Sequence, residues 1–203
     1  DRPLAQFRGA APELVSVGSE PVDISFPEPA LSPDQLLSRL SPADIPLADL
    51  IAGVSQDSLL SYTNRLQAYW RRPAGSDSNY ASRDWIAGKF IEFGYDSVVI
   101  DSFLAVIGSV TTPCQNVLAY KIGTVYPNHQ VIIGAHRDGV SASPAADDNG
   151  SGTAAVLEFA RVLKDIPTDV TILFSLYDAE ENGLIGSYDY VGRAYARGDS
   201  IVY

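Results

Sequence analysis

Residues 130–138 read Gln-Val-Ile-Ile-Gly-Ala-His-Arg-Asp, an almost wholly apolar run that ends in polar residues. A short apolar run of this kind is typical of a strand that is covered on both faces, because a half-exposed strand alternates apolar and polar residues. Polar residues directly after such a strand lie at the carboxyl edge of the sheet, where α/β folds bind their ligands. The stretch therefore predicts a buried strand over 130–135 with a functional site at its end.

The sequence after this run alternates between helical and strand-like patterns. Apolar residues at helical spacing predict a helix over 151–163, and residues 170–177 predict another strand. A helix over 187–196 follows, and residues 201–203 read as the beginning of a further strand. This succession of strands and helices predicts an α/β fold with a sandwiched central sheet.

The sequence before the run divides at about residue 50. Residues 1–50 hold eight of the thirteen prolines, which interrupt any helix, and they predict an extended arm or a propeptide remnant. Helical spacing begins at residue 51, a helix is predicted over 80–93, and strands are predicted over 97–107 and 116–122. We interpret the chain as a proline-rich arm over 1–50 followed by one folded domain over 51–203.

The composition restricts the function. Acidic residues outnumber basic ones 25 to 14, giving a net charge of −11, so a nucleic-acid partner is not expected. No apolar run approaches the roughly 18 residues that a membrane span requires. Cys114 is the single cysteine, so a metal ion would have to be held by His, Asp and Glu. The sequence contains no Met, which we interpret as removal of upstream residues and as consistent with a secreted or periplasmic protein.

Metal-ligating side chains occur where predicted strands give way to loops. His136 and Asp147 are of the types that bind a catalytic zinc ion. Asp138 is placed to accept a hydrogen bond from the other ring nitrogen of His136 and so to hold one tautomer. Glu180 and Glu181 follow the next strand, and because adjacent side chains diverge, one can bind metal while the other acts as a base.

Three ordered motifs resemble those of the M28 zinc peptidases: His136-Arg137-Asp138, the run 146–152 (Ala-Asp-Asp-Asn-Gly-Ser-Gly) and the run 180–187 (Glu-Glu-Asn-Gly-Leu-Ile-Gly-Ser). The resemblance extends over about residues 51–203. It implies a phosphorylase/hydrolase-like α/β fold, a three-layer sandwich with a mixed central sheet, incomplete at its C-terminal end. It also implies two zinc ions that share Asp147.

The resemblance assigns a role to each candidate residue. His136 would bind one zinc ion and Glu181 the other, Glu180 would be the general base, and Asp138 would orient His136. A metal-bridging hydroxide would then hydrolyse a terminal bond of a peptide substrate. Aminopeptidase activity is the leading expectation. The alternatives are a carboxypeptidase or dipeptidase, a glutaminyl cyclase on the same scaffold, or a non-catalytic binding domain.

The sequence departs from the family pattern in one respect. The family supplies one more Asp and one more His from later loops, whereas His129 and His136 are the only histidines here. We therefore expect the chain to be the front part of a longer enzyme and to be weakly active alone. A second polypeptide that carries the missing ligands is a possible partner.

Several polar residues receive ordinary structural interpretations. His129 follows turn residues and is expected at the surface. Asp148 is expected to cap the helix that follows it or to form a hydrogen bond within its loop, and Asp178 is interpreted as a polar residue at a strand end. Cys114 has no helix N-terminus beside it to lower its pKa, so a thiol protease is not expected.

Overall fold

The structure, a computed structural model, describes residues 15–17 and 47–202. Most of the predicted arm over 1–50 lies outside the described residues. Its described parts are a short strand and the beginning of a helix that crosses the expected boundary at residue 50. In the described part of the chain, no helix has the length and apolar character needed to cross a membrane.

The elements alternate as the sequence predicts. The strands are β1 (Val15–Val17), β2 (Ser97–Ile107), β3 (Val110–Lys121), β4 (Tyr126–His136), β5 (Val170–Tyr177) and β6 (Ser200–Ile201). The helices are α1 (Leu47–Ala52), α2 (Gln56–Ala68), α3 (Asp77–Glu92), α4 (Gly152–Leu163) and α5 (Ile185–Arg197). A π-helical turn (Ala146–Ser151) precedes α4, and a 3₁₀ turn (Glu180–Asn182) precedes α5.

The strands form one mixed sheet in the order β1-β2-β3-β5-β4-β6. The pairs β2–β3 and β3–β5 are antiparallel, and the pairs β1–β2, β4–β5 and β4–β6 are parallel. The central strand β5 therefore has β3 on one side and β4 on the other. Its residues are mostly buried, as an inner strand of a covered sheet requires.

Both faces of the sheet are covered by helices. On one face, Val117 and Phe174 belong to a core that also contains Phe90 of α3 and Leu157 of α4. On the other face, a second core joins Leu118 and Leu173 to Tyr190 and Ala194 of α5. Successive strand residues point to opposite faces, so β3 and β5 contribute to both cores. The predicted three-layer α/β sandwich with a mixed sheet is confirmed.

Side-chain caps explain where two helices begin. The hydroxyl of Ser55 accepts the N–H of Ser58 at the start of α2, and the hydroxyl of Ser76 accepts the N–H of Asn79 at the start of α3. The helix α3 therefore begins three residues before the predicted start at Tyr80, because Ser76 supplies the cap. The predicted end near Phe93 and Gly94 agrees with the structure.

The expectation for His129 is wrong. Its side chain is buried, Nδ1 lies 2.7 Å from the Ser200 hydroxyl, and its ring contacts the edge of Tyr126. The reason is tertiary: β6 pairs with β4 at His129 and covers a position that local turn signals place at the surface.

Candidate metal centre

The candidate site lies at the carboxyl edge of the sheet, where β4 and β5 end side by side. The two strands are parallel, and their last residues, His136 and Tyr177, are paired in register. The loops that follow therefore leave the sheet next to each other. One loop carries Asp138 and leads to the π-helical turn, and the other carries Glu180 and Glu181 on the 3₁₀ turn.

Three of the predicted site residues lie within reach of a single ion. Ligand atoms of His136, Glu180 and Glu181 are all within 4.8 Å of one another, and the three residues are partly buried. An imidazole nitrogen with carboxylate oxygens is a donor set that zinc accepts. The residues therefore fit a metal ion by the chemistry and the spacing of their donor atoms.

Three carboxylates face the ring of His136. Nε2 lies 3.0 Å from Oδ1 of Asp148 and 3.5 Å from Oε2 of Glu180, and Nδ1 lies 3.5 Å from Oδ1 of Asp138. Burial by itself would lower the pKa of His136, but the three carboxylates outweigh burial and raise the pKa to about 9. The surroundings of the ring thus favour a positive charge, which a proton or a metal ion can supply.

Asp138 connects the two loops. Its side chain is buried, Oδ1 accepts the N–H of Glu180 at 3.1 Å, and Oδ2 accepts the N–H of Glu181 at 3.2 Å. The same Oδ1 faces the ring of His136. One carboxylate is therefore placed to orient both the imidazole and the turn that carries the two glutamates.

Asp147 does not join this group. Both aspartates are exposed on the π-helical turn, and it is Asp148 that accepts a hydrogen bond from Nε2 of His136. Backbone angles leave the helical range at Asp148 (φ −103°, ψ 97°) and Asn149 (φ −128°, ψ 45°). This local departure brings the second aspartate, rather than the first, to the imidazole. The geometry favours Asp148 as the acidic neighbour of His136.

Asp148 does not cap α4, contrary to one expectation from the sequence. The N–H of Gly152 is accepted at 2.9 Å by Oδ1 of Asn149, which takes the capping role instead. Gly152 has no room for a side chain, because an added Cβ would lie 2.1 Å from that same oxygen. The side chain of Asp148 is consequently available to the site.

The interpretation of Asp178 as simple strand-end polarity is wrong. Its carboxylate is buried and forms an ion pair with Arg137, with Nη2 and Oδ2 at 2.8 Å. It also accepts hydrogen bonds from the amide of Asn79 and from the backbone N–H of Gln115, both at 2.9 Å. The local sequence shows that Asp178 follows a strand, but it does not show that the buried guanidinium of Arg137 lies against its carboxylate.

The sequence reasoning missed the buried polar framework behind the site, which includes Arg72, Asn79 and Arg137. A signal existed for Arg137, because it lies between His136 and Asp138 and its side chain must point away from theirs. No comparable signal existed for Arg72, which occupies a loop between two helices. Its position at the site depends on long-range folding alone.

Cys114 is buried, and burial raises the pKa of its thiol to about 12, with the carboxylate of Asp178 adding to the shift. A thiol with such a pKa is not a thiolate at neutral pH. The structure therefore agrees with the expectation that Cys114 is not a nucleophile.

A covered mixed sheet with metal-ligating side chains at its carboxyl edge is an arrangement in which α/β folds bind their ligands. The model of a known family, described as Peptidase family M28, matches residues 116–203. This part of the chain, which contains every candidate site residue, belongs to peptidase family M28.

Curated relatives extend the similarity. Over 78 residues the chain is 56% identical to "Aminopeptidase YwaD" of Bacillus subtilis, a match that covers 38% of this chain and 17% of the relative. Over 189 residues it is 30% identical to "Leucine aminopeptidase 1" of Fusarium vanettenii, covering 87% of this chain and 45% of the relative. The chain thus spans less than half the length of these relatives.

Solved structures share the fold. LapB from Legionella pneumophila aligns with a TM-score of 0.65 and 27% identity, covering 78% of this chain and 44% of that chain. A glutaminyl cyclase from Fimbriiglobus ruber aligns with a TM-score of 0.64 and 19% identity, covering 73% and 59% respectively. The second likeness shows the fold alone.

Proposed function

We propose that this chain carries metal-binding and proton-transfer residues of a zinc-dependent exopeptidase, with an aminopeptidase as the leading form. The observation that carries this proposal is the convergence of His136, Glu180 and Glu181 at the sheet edge, with ligand atoms within 4.8 Å of one another. Both relatives described above, from Bacillus subtilis and Fusarium vanettenii, are named as aminopeptidases, which supports the choice of reaction. The substrate is a peptide with a free N-terminus.

Each residue has a distinct part in this proposal. His136 and Glu181 are metal ligands, and Asp148 replaces Asp147 as the acidic ligand because its carboxylate lies 3.0 Å from Nε2 of His136. A carboxylate in this place can bridge two ions, so we propose a two-zinc centre. Asp138 orients the imidazole.

Bound zinc would lower the pKa of a coordinated water and polarise the peptide carbonyl. Glu180 takes the proton of the attacking water and returns it to the leaving amine. Asp138 keeps Glu180 in place through its hydrogen bond to the Glu180 backbone N–H. The chain thereby supplies metal ligands and the general base of the proposed reaction.

The family pattern implies one more Asp and one more His. The described residues offer no further histidine at the site, since His129 lies at the opposite end of β4. We propose that the complementary ligands come from polypeptide outside residues 1–203, in the same chain or in a second one. Elemental analysis of zinc in this chain and in the longest gene product tests whether ligands lie outside residues 1–203. Equal zinc content in the two proteins would reject that proposal.

A pair of adjacent variants tests the acidic ligand. Asp148→Asn should lose zinc, whereas Asp147→Asn should keep it, because the proposed ligand is Asp148, whose Oδ1 lies 3.0 Å from Nε2 of His136. Zinc is measured after dialysis on both folded variants, produced as the longest gene product. Loss of zinc from the Asp147 variant alone would return the bridging role to Asp147. A parent gene product that binds no zinc would reject the metal centre.

Product analysis distinguishes the competing functions. Residue release from a peptide with a blocked C-terminus indicates an aminopeptidase, and release from one with a blocked N-terminus indicates a carboxypeptidase. Ring closure of an N-terminal glutamine would favour a glutaminyl cyclase, the alternative on the same scaffold. Zinc binding without turnover of any of these peptides would indicate a binding domain.

We also propose a secreted or periplasmic location, on the basis of the family resemblance. Cell fractionation of the source organism, with detection by antibody, tests it. Recovery in the cytoplasm would reject this location.

A further inference from the structure

Arg72 is completely buried in the connection between α2 and α3. Its guanidinium donates four hydrogen bonds, and all four go to backbone carbonyl oxygens. Nε binds Arg137 O at 3.0 Å, Nη2 binds Ala145 O at 2.9 Å, and Nη1 binds Leu66 O at 2.8 Å and Pro144 O at 3.0 Å. The side chain thus connects three separate segments of backbone.

Two of these segments carry the candidate metal centre. Arg137 directly follows His136, and Ala145 directly precedes the turn that holds Asp148. The backbone oxygen of Arg72 accepts the N–H of Gly139 at 3.1 Å, which adds a contact within the same loop. A single residue therefore ties together both ends of the loop over 137–145.

The loop is closed tightly where Arg72 binds it. Ala145 adopts a left-handed conformation (φ 50°, ψ 46°), which is unfavourable for a residue with a side chain. Its oxygen accepts the N–H of Gly150 at 3.0 Å as well as the guanidinium. A Cβ on Gly139 would lie 2.3 Å from the Cβ of Ala145, so the loop ends touch. The bonds to the Ala145 oxygen hold this conformation.

The chemistry of these contacts requires arginine. Burial, with repulsion from Arg137, lowers the pKa of Arg72 to about 10, so the group is still charged at neutral pH. Its planar fork reaches several carbonyl oxygens in fixed directions at once, whereas a lysine ammonium is a point charge on a flexible stem. Lysine would keep the charge and lose the simultaneous contacts.

We propose that Arg72 is a positioning residue for the metal centre, since it sets the separation between the imidazole of His136 and the carboxylate of Asp148. It does so because its planar guanidinium binds two carbonyl oxygens at once. One belongs to Arg137, directly after His136, and the other to Ala145, directly before the turn that holds Asp148. The inference rests on the proposed metal centre. It adds a determinant of affinity that touches neither metal nor substrate.

The test compares Arg72→Lys and Arg72→Gln with the parent, all produced as the longest gene product. Zinc affinity is measured by competition with a chromophoric chelator, and folding by far-ultraviolet circular dichroism at a temperature well below unfolding. We expect folded Arg72→Lys protein to bind zinc about 10-fold to 100-fold more weakly, the range for groups that orient metal ligands. The matched control is Arg161→Lys, because Arg161 binds Glu158 and Gly53 away from the site. Its zinc affinity should equal that of the parent.

Hydrogen exchange gives a second readout that requires no metal. In the parent, the amides of Gly139 and Gly150 should be protected, and in Arg72→Lys they should exchange faster while Leu173 in the core does not. Unprotected Gly139 and Gly150 amides in the parent would overturn the inference even if both variants fail to fold. Unchanged zinc affinity in folded Arg72→Lys would also overturn it. Absence of zinc binding by the longest gene product would instead reject the proposed function, and the exchange data would still decide whether Arg72 fixes the loop.

Discussion

Nη2 of Arg137 lies 2.8 Å from Oδ2 of Asp178, and both side chains are fully buried. Arg137 directly follows His136 at the end of β4, and Asp178 directly follows β5, two residues before Glu180. The ion pair therefore joins the two strand ends that carry the candidate site. Arg137 also donates to the backbone oxygens of Gln115 and Asn79, which anchors the pair to β3 and α3.

Breaking this ion pair should strongly destabilise the fold. Asp178→Asn leaves the Arg137 charge buried and uncompensated, and removal of one partner from such a pair costs about 3–5 kcal/mol. Urea unfolding measures the loss. The control is Glu92→Gln, because Glu92 pairs with Lys89 at 2.7 Å but is 64% exposed. That change should cost less than about 1 kcal/mol. Equal losses in the two variants would contradict a structural role for the buried pair.

Glu180→Gln should separate metal binding from turnover. In the longest gene product, the variant should keep its zinc and lose about 10²-fold to 10⁴-fold in kcat, the usual contribution of a general base. Elemental analysis and hydrolysis of an amino-acid p-nitroanilide measure the two properties. Glu181→Gln is the companion variant and should lose zinc itself. Full activity in the Glu180 variant would reject its role as base.

Asp138→Asn should weaken zinc binding without unfolding the protein. The carboxylate of Asp138 accepts the backbone N–H groups of Glu180 and Glu181. In the variant, the asparagine NH₂ group would face one of these N–H groups, so that two donors would oppose each other. We expect a loss of about 10-fold to 100-fold in zinc affinity. Asp165→Asn is the control, since that side chain is 83% exposed. If both variants bind zinc like the parent, Asp138 does not orient the site.

Alanine substitutions at two glycines of α5 should change the stability of the fold in opposite directions. A Cβ on Gly186 would lie 2.2 Å from the oxygen of Asp178 and 2.5 Å from Oδ1 of Asn116, whereas a Cβ on Gly192 meets nothing within 4 Å. Gly186→Ala should destabilise by about 1–3 kcal/mol through overpacking. Gly192→Ala should stabilise by up to about 1 kcal/mol through helix propensity. Thermal unfolding of both variants shows whether the signs differ as expected.

Acid should remove the contribution of Glu158 to stability. Burial would raise the pKa of Glu158, but hydrogen bonds from Arg161 and from the N–H of Ser55 outweigh burial and lower it. A carboxyl whose pKa is lower in the folded state stabilises above its unfolded pKa, about 4.3, and loses that contribution as pH falls through the folded pKa. The difference in unfolding free energy between the parent and Glu158→Gln should therefore be largest at neutral pH and shrink below about pH 4. A difference independent of pH would contradict this assignment.

Local pattern predicted most elements of the fold, although β3 begins at Val110 rather than at the predicted residue 116. The strand over 170–177 was predicted with its observed bounds, because β5 is mostly apolar and mostly buried. Helix α3 was predicted three residues short, because its start depends on a serine cap rather than on apolar spacing. The motifs also located the site at the ends of β4 and β5, since strand ends meet at one edge in a parallel pair.

The sequence by itself determined the α/β class, and it predicted a site at the carboxyl edge with His136, Asp147, Glu180 and Glu181 among its residues, because periodicity and motif order are local properties. Only the tertiary structure decided that Asp148 rather than Asp147 faces the imidazole, that His129 is buried under β6, and that Arg72 and Arg137 lie behind the site. These features depend on the direction of a side chain and on partners distant in sequence. Two adjacent aspartates look alike in a sequence, and a buried arginine is recognisable only when the carbonyl oxygens that accept its hydrogen bonds have been brought around it.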